Sequence, residues 1–148
     1  MTAEDHRLAR DLATETGQRL LALRAEGGEP ASLRAAGDRS AHEYLMAELT
    51  RLLPDDAVLS EEGKDDPVRL SAERTWIVDP LDGTREFGEA GRTDWAVHVA
   101  LWERGQLTAG AVAYPSPRLV IWKPVMAPPG LTDAVCTSPE VTSDKNFE

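Results

Sequence analysis

Four carboxylates flank one loop of this 148-residue sequence: Glu61 and Glu62 in Ser60-Glu61-Glu62-Gly63, and Asp79 and Asp82 in Asp79-Pro80-Leu81-Asp82-Gly83-Thr84. Proline fixes its own φ and favours the second position of a turn, so the spacing predicts a turn that lets Asp79 and Asp82 face a common centre. Bare carboxylates so placed repel one another, and a divalent cation removes that cost. Magnesium takes oxygen ligands, commonly a few carboxylates completed by waters and phosphate oxygens. The carbonyl of Leu81, in the bend, is a further candidate ligand. Gly83 lets backbone N–H groups approach a ligand closely. A short helix starting near Thr84 would offer free N–H groups to phosphate. Metal ligands and a phosphate cradle are then continuous in sequence, as metal-assisted hydrolysis of a phosphoester requires.

These groups need elements to hold them. Thr2-Ala3-Glu4-Asp5 reads as a capping-box start, and Leu8, Leu12, Leu20 and Leu23 follow at helical spacing, which predicts a helix over 3–24. Gly27-Gly28-Glu29-Pro30 ends it. A second helix is expected to begin near 38–40, where Ser40 and Glu43 form another capping box, and to stop at Pro54. Residues 57–60 and 75–78 read as short strands leading into the two acidic motifs. Longer strands are expected over 94–103 and 106–114, joined by a hairpin at Gly105, with 119–123 as a third member. This order predicts an α+β domain, two helices packed on a largely antiparallel sheet. Residues 1–125 form the metal- and phosphate-binding unit, and 126–148 a weakly structured tail. The run 95–102 is apolar on both alternating faces, which predicts a sheet covered on both sides, its second layer supplied from outside this chain.

Composition narrows the function. At 41% apolar residues a folded globular state is expected. The net charge of −10 disfavours nucleic-acid polymers and anionic membranes. An acidic protein with an anionic substrate must recruit positive charge locally, for which bound metal serves. The one cysteine, Cys136, excludes an intrachain disulfide and is assigned no chemistry. No signal core or membrane-length apolar run is visible, so a cytoplasmic location is expected.

With Asp38 placed before them, Glu61-Glu62 and Asp79-Pro80-Leu81-Asp82-Gly83-Thr84 resemble the lithium-sensitive, magnesium-dependent phosphatase superfamily typified by inositol monophosphatase. Ser60-Glu61-Glu62, Gly83-Thr84-Arg85-Glu86-Phe87 and the run Asp94 to Trp102 are most similar to its 3'(2'),5'-bisphosphate nucleotidase (CysQ-type) branch. The resemblance covers the chain from the first helix to about Lys123. It implies two or three Mg2+ ions, inhibition by Li+, and a water nucleophile. Glu61, Asp79, Leu81 through its carbonyl, and Asp82 would bind metal. Asp38, Glu61 and Thr84 would be catalytic, Asp38 accepting from the Thr84 hydroxyl, which orients the water. Asp82, Gly83, Thr84 and Arg85 would contact the substrate. That substrate would be 3'-phosphoadenosine 5'-phosphate, or an inositol phosphate on the alternative reading. A homodimer stays open.

Each of these residues also has a plainer reading. Asp38 could cap the second helix. Glu62 need not face the metals. Arg85 could be a solvated arginine. Trp76, Trp95 and Trp102 read as core, His98 as a packed strand residue, and Asp65-Asp66 as a solvated loop. The superfamily's Trp-Asp motif, whose aspartate binds metal in a second subdomain, does not occur here. The expectation is therefore that this chain alone has weak or no activity. A different class of reading is a non-catalytic metal-binding half-domain that associates with a partner.

Overall fold

The structure is a computed structural model that describes residues 3–115 and the backbone of 120–121. Helices α1 (Ala3–Glu26) and α2 (Pro30–Leu52) come first. Strands β1 (Ala57–Ser60) and β2 (Arg74–Asp82), the single-turn helix α3 (Thr84–Phe87), and strands β3 (Ala96–Glu103), β4 (Gln106–Ala113) and β5 (Val120–Ile121) follow. The strands form one sheet in the order β1-β2-β3-β4-β5. Only the β1–β2 pair is parallel; the other three pairs are antiparallel. The α+β expectation is met.

The register puts Trp76 opposite Leu101 and Leu101 opposite Ala109, and likewise aligns Val78, Val99 and Ala111. Side chains alternate across a strand, so these residues share one face. Against it α1 buries Ala9, Leu12, Ala13 and Leu20, and α2 buries Ala41, Leu45 and Leu49. Full burial of each such leucine contributes roughly 1.5–3 kcal/mol. Ile77, His98, Ala100 and Val112 lie on the opposite face and stay half-exposed. Helices α1 and α2 pack on the other face; on this one the 3-10 turn over Pro67–Leu70 approaches Thr75, whose Oγ1 lies 3.5 Å from Arg69 O. No described helix is long and apolar enough to cross a membrane.

Several expectations change. The second helix starts eight residues early, at Pro30, with Glu29 as its N-cap accepting from Ser32 N at 3.0 Å. Pro30, read as the end of the first helix, also opens the second, because proline suits a first helical turn. Asp38 and Ser40 are therefore mid-helix, and the capping roles assigned to them do not exist. Thr2 of the expected capping box lies outside the described residues; the Asp5 carboxylate accepts from Arg74 Nη2 at 2.6 Å. Trp102 is not core but 42% exposed. Asp65 and Asp66 are solvated as expected, with Asp66 capping a 3-10 turn over Pro67–Leu70 and Asp65 paired with Arg69. The 103–106 hairpin forms as expected, with Arg104 (φ 50°) and Gly105 (φ 85°) both left-handed, as a two-residue loop of type I′ demands. Strand β5 occupies part of 119–123. Cys136 and the 126–148 tail lie outside the described residues.

Candidate metal and phosphate site

Asp79-Pro80 is not a turn. Strand β2 runs through it to Asp82, and the ladder with β3 is interrupted between Asp79, opposite His98, and Asp82, opposite Ala96. On the other side, pairing with β1 has ended at Val78. Pro80 thus sits where neither neighbour needs its missing N–H. The irregularity lies between the two aspartates. Asp82 is exposed, its side chain at 61%, and its Oδ2 lies 3.1 Å from Nε2 of a half-exposed His98. His98 is therefore a strand residue as expected, paired on both sides in the central strand β3, but its side chain is half-exposed beside the acidic motif rather than packed.

Asp79 points inward instead. Its Oδ1 is buried with no hydrogen-bond partner among the described residues, and the group close enough to share a proton with it is another carboxyl, Glu61. Burial first, then Glu61 and the charge of Asp82, push its pKa up to about 7. Glu61 arrives from the end of β1: its N–H donates to Val78 O at 3.2 Å, and Gly63 N closes the following turn onto Ser60 O at 3.1 Å. Glu62, on the same turn, also has its pKa raised, by partial desolvation and then by Asp38 and Glu61, with His42 opposing.

Gly83 leaves β2 at φ 81°. A Cβ there would lie 2.8 Å from Asp94 O and 3.1 Å from Trp95 Cα, so only glycine fits. Thr84 then opens α3. The Thr84 hydroxyl is 2.9 Å from Asp38 Oδ1 and 3.0 Å from Leu81 O, and its single proton serves one of these acceptors at a time. The expected Asp38–Thr84 contact is thus present, supplied from mid-helix. Burial raises the pKa of Asp38; the Thr84 hydrogen bond opposes this and Glu61 adds to it. Arg85 is solvated, its side chain 81% exposed, and pairs with Glu89 at 3.3 Å.

Three supporting residues escaped the sequence reading. Gly37 lets α2 close on α3: a Cβ there would be 2.6 Å from Phe87 Cε1 and 3.0 Å from Leu81 Cδ2. That approach brings Asp38 to Thr84. A glycine followed by aspartate inside a helical pattern was the available signal. Arg24, at the end of α1, donates to the carbonyls of Glu89 and Arg92 and lies 5.9 Å from the rings of both Phe87 and Trp95. It anchors the segment that returns the chain from α3 to β3. His42, one helical turn past Asp38, contacts Ser60.

An inward carboxylate oxygen with no donor, set against a second carboxyl, suits a cation. Glu61, Asp79 and the Leu81 carbonyl, which has a second lone pair, are all oxygen donors of the kind magnesium takes. Among the described residues no three His, Cys, Asp or Glu side chains are gathered into one metal-binding group. The charges still act on one another: Glu61 and Asp82 both act on Asp79, and Glu61 acts on Asp38.

This fold and motif order define a chain of the phosphatase-like α+β class, and residues 3–128 belong to the inositol monophosphatase family. The chain is 59% identical over 111 residues to the 3'-phosphoadenosine 5'-phosphate phosphatase of Mycobacterium leprae (strain TN), covering 74% of this chain and 40% of that relative. Its structure is similar to inositol monophosphatase-II from Staphylococcus aureus MSSA476, with a TM-score of 0.75 and 24% identity over 84% of this chain and 47% of the other. It is also similar to CysQ from Bacteroides thetaiotaomicron, with a TM-score of 0.65 and 33% identity over 76% and 42% of the two chains. The chain spans less than half the length of each of these relatives.

Proposed function

We propose that this chain carries the near side of the active site of a magnesium-dependent phosphomonoesterase that removes the 3'-phosphate of 3'-phosphoadenosine 5'-phosphate. The observation that carries the reading is the Asp38–Thr84–Leu81 cluster beside Asp79, whose buried Oδ1 has no partner among the described residues. The choice of substrate rests on the Mycobacterium leprae relative and on Ser60-Glu61-Glu62 and Gly83-Thr84-Arg85-Glu86-Phe87.

Glu61, Asp79, the Leu81 carbonyl and Asp82 would hold the metal. Bound there, magnesium would supply positive charge to the phosphate and lower the pKa of a water molecule. The chain's own residues do the rest. With its proton directed to Asp38, the Thr84 hydroxyl keeps lone pairs free to accept from a water and so orient it. The raised pKa of Asp38 makes it a better proton acceptor than an ordinary aspartate. A proton taken from water at Thr84 Oγ1 can thus be matched by one passed to Asp38 Oδ1. Free N–H groups at Gly83 and Thr84 would face phosphate oxygens, and Arg85, exposed at the rim, would meet a second phosphate on releasing Glu89.

The test is phosphate release from 3'-phosphoadenosine 5'-phosphate and from inositol monophosphate, measured in parallel at high chain concentration. Slow release that needs Mg2+, favours the nucleotide and disappears in Asp79→Asn supports the reading. Preference for the inositol ester would move the substrate assignment. Release indifferent to Mg2+ and to Asp79 would overturn the mechanism. The chain's span of 40% of the Mycobacterium leprae relative favours a second reading, a metal-binding half-domain that acts only with a partner. Magnesium binding without any phosphate release is its signature.

A further inference from the structure

We propose that His42 is a positioning residue for the acidic pair: by holding both ends of the turn that carries Glu61 and Glu62, it sets the site's affinity for a divalent cation. The inference rests on reading Glu61 and Asp79 as metal ligands.

The turn is closed by the Gly63 N–H donating to Ser60 O, so Glu61 and Glu62 are its two central residues. Both residues are exposed, so the turn backbone that carries them must be held from beneath. Two contacts do this. Glu61 N donates to Val78 O, tying the turn to β2 one residue before Asp79. His42 touches both closing residues. Its Nδ1 lies 2.9 Å from Oγ of the buried Ser60, and a Cβ built on Gly63 would come within 3.2 Å of its Cε1. The ring therefore wedges under the turn, and Gly63 is small enough to let it.

The same helix supplies the other half of the site. Asp38 and His42 are four residues apart on α2, so they project from one face. Asp38 meets Thr84, and His42 meets Ser60. A rigid helix thus sets the distance between the phosphate-side hydroxyl and the Glu61 turn. Groups that orient metal ligands in this indirect way typically contribute about 10–100-fold in metal affinity.

The experiment measures Mn2+ binding to the 148-residue chain by the electron paramagnetic resonance signal of the free ion, with thermal melts to establish folding. The variants are His42→Ala, His42→Asn, Ser60→Ala, the His42→Ala/Ser60→Ala double, and Glu61→Gln. We expect His42→Ala and Ser60→Ala each to weaken Mn2+ about tenfold. The double variant should be no weaker than the worse single. Asparagine places a polar atom where Nδ1 was, so His42→Asn should regain most of the lost affinity, which a role confined to packing would not produce. Unchanged affinity in folded His42→Ala, or His42→Asn no better than alanine, overturns the inference. Should His42→Ala not fold, Ser60→Ala decides, since it removes one oxygen: unchanged affinity there overturns the inference. Equal Mn2+ binding by the wild-type chain and Glu61→Gln would instead overturn the metal-ligand reading, and this inference with it.

Discussion

Two buried glycines, each inside a long helix, should respond to alanine in opposite directions. At Gly17 in α1 the added Cβ would sit 3.5 Å from Ala113 Cβ, an ordinary contact. At Gly37 in α2 it would sit 2.6 Å from Phe87 Cε1, about 1 Å inside normal carbon–carbon separation. Phe87 has little room to retreat, being fully buried and packed edge-on against Trp95 with centroids 5.1 Å apart. Both substitutions gain the same helix-propensity term, roughly 1 kcal/mol. Only Gly37→Ala incurs the overpacking cost, typically about 1–3 kcal/mol. Subtracting one variant's urea-unfolding free energy from the other's cancels the shared term. Gly17→Ala should therefore be more stable than Gly37→Ala by about 1–3 kcal/mol. Gly17→Ala should also lie above the wild type. Displacing α2 would stretch the 2.9 Å Asp38–Thr84 contact as well, so Gly37→Ala should lose metal affinity while Gly17→Ala keeps it. Equal stabilities for the two variants would refute the claim that α2 closes on α3 through Gly37.

Other consequences can be measured as directly. Gly83→Ala must hold a left-handed φ against the Asp94 carbonyl and should cost at least about 2 kcal/mol in urea unfolding; a neutral effect would remove the cradle geometry. Arg74 sits among Asp5, Asp56 and Glu103 at 2.6, 3.0 and 3.2 Å, so Arg74→Met should destabilise by about 3 kcal/mol, and a loss below roughly 1 kcal/mol would mark the cluster as surface-like. Asp79 titrates at about 7 in the metal-free chain. A cation needs it ionised, so binding at pH 6 should release close to one proton and binding at pH 8.5 almost none, as calorimetry in buffers of different ionisation enthalpy will show. For stability the sign is that of a raised acid: without metal, the fold gains stability as pH falls through about 7 toward the ordinary aspartate value, and a denaturation midpoint that falls over that interval would contradict it.

Sequence periodicity carried the architecture because the helices and strands are amphipathic or β-rich over many residues. Leu12 and Leu20 mark the buried stripe of α1, and the hairpin at Gly105 is where turn chemistry puts it. The start of α2 at Pro30 is hidden because proline signals both the end of one helix and the first turn of the next. Asp79-Pro80 reads as a turn because local sequence cannot show a strand whose partners have both let go of it. The meeting of Asp38 with Thr84 was legible only through resemblance, since no spacing rule links residues 46 apart. Gly37, His42 and Arg24 act through contacts between elements, and periodicity within one element does not report those. Trp102 belongs to the half of β3 that faces away from the helices, so its apolar character says nothing about which face is covered.

The central claim is that the carboxyl pair Glu61–Asp79 exists to hold a divalent cation. Calorimetric titration of Mg2+ into the wild-type chain, Asp79→Asn and Glu61→Gln at pH 8 tests it most directly. The account predicts saturable binding by the wild type and at least tenfold weaker binding by each variant, on the order found when a ligand carboxylate or its support is removed. Equal binding by all three, or none by a folded wild type, would contradict it.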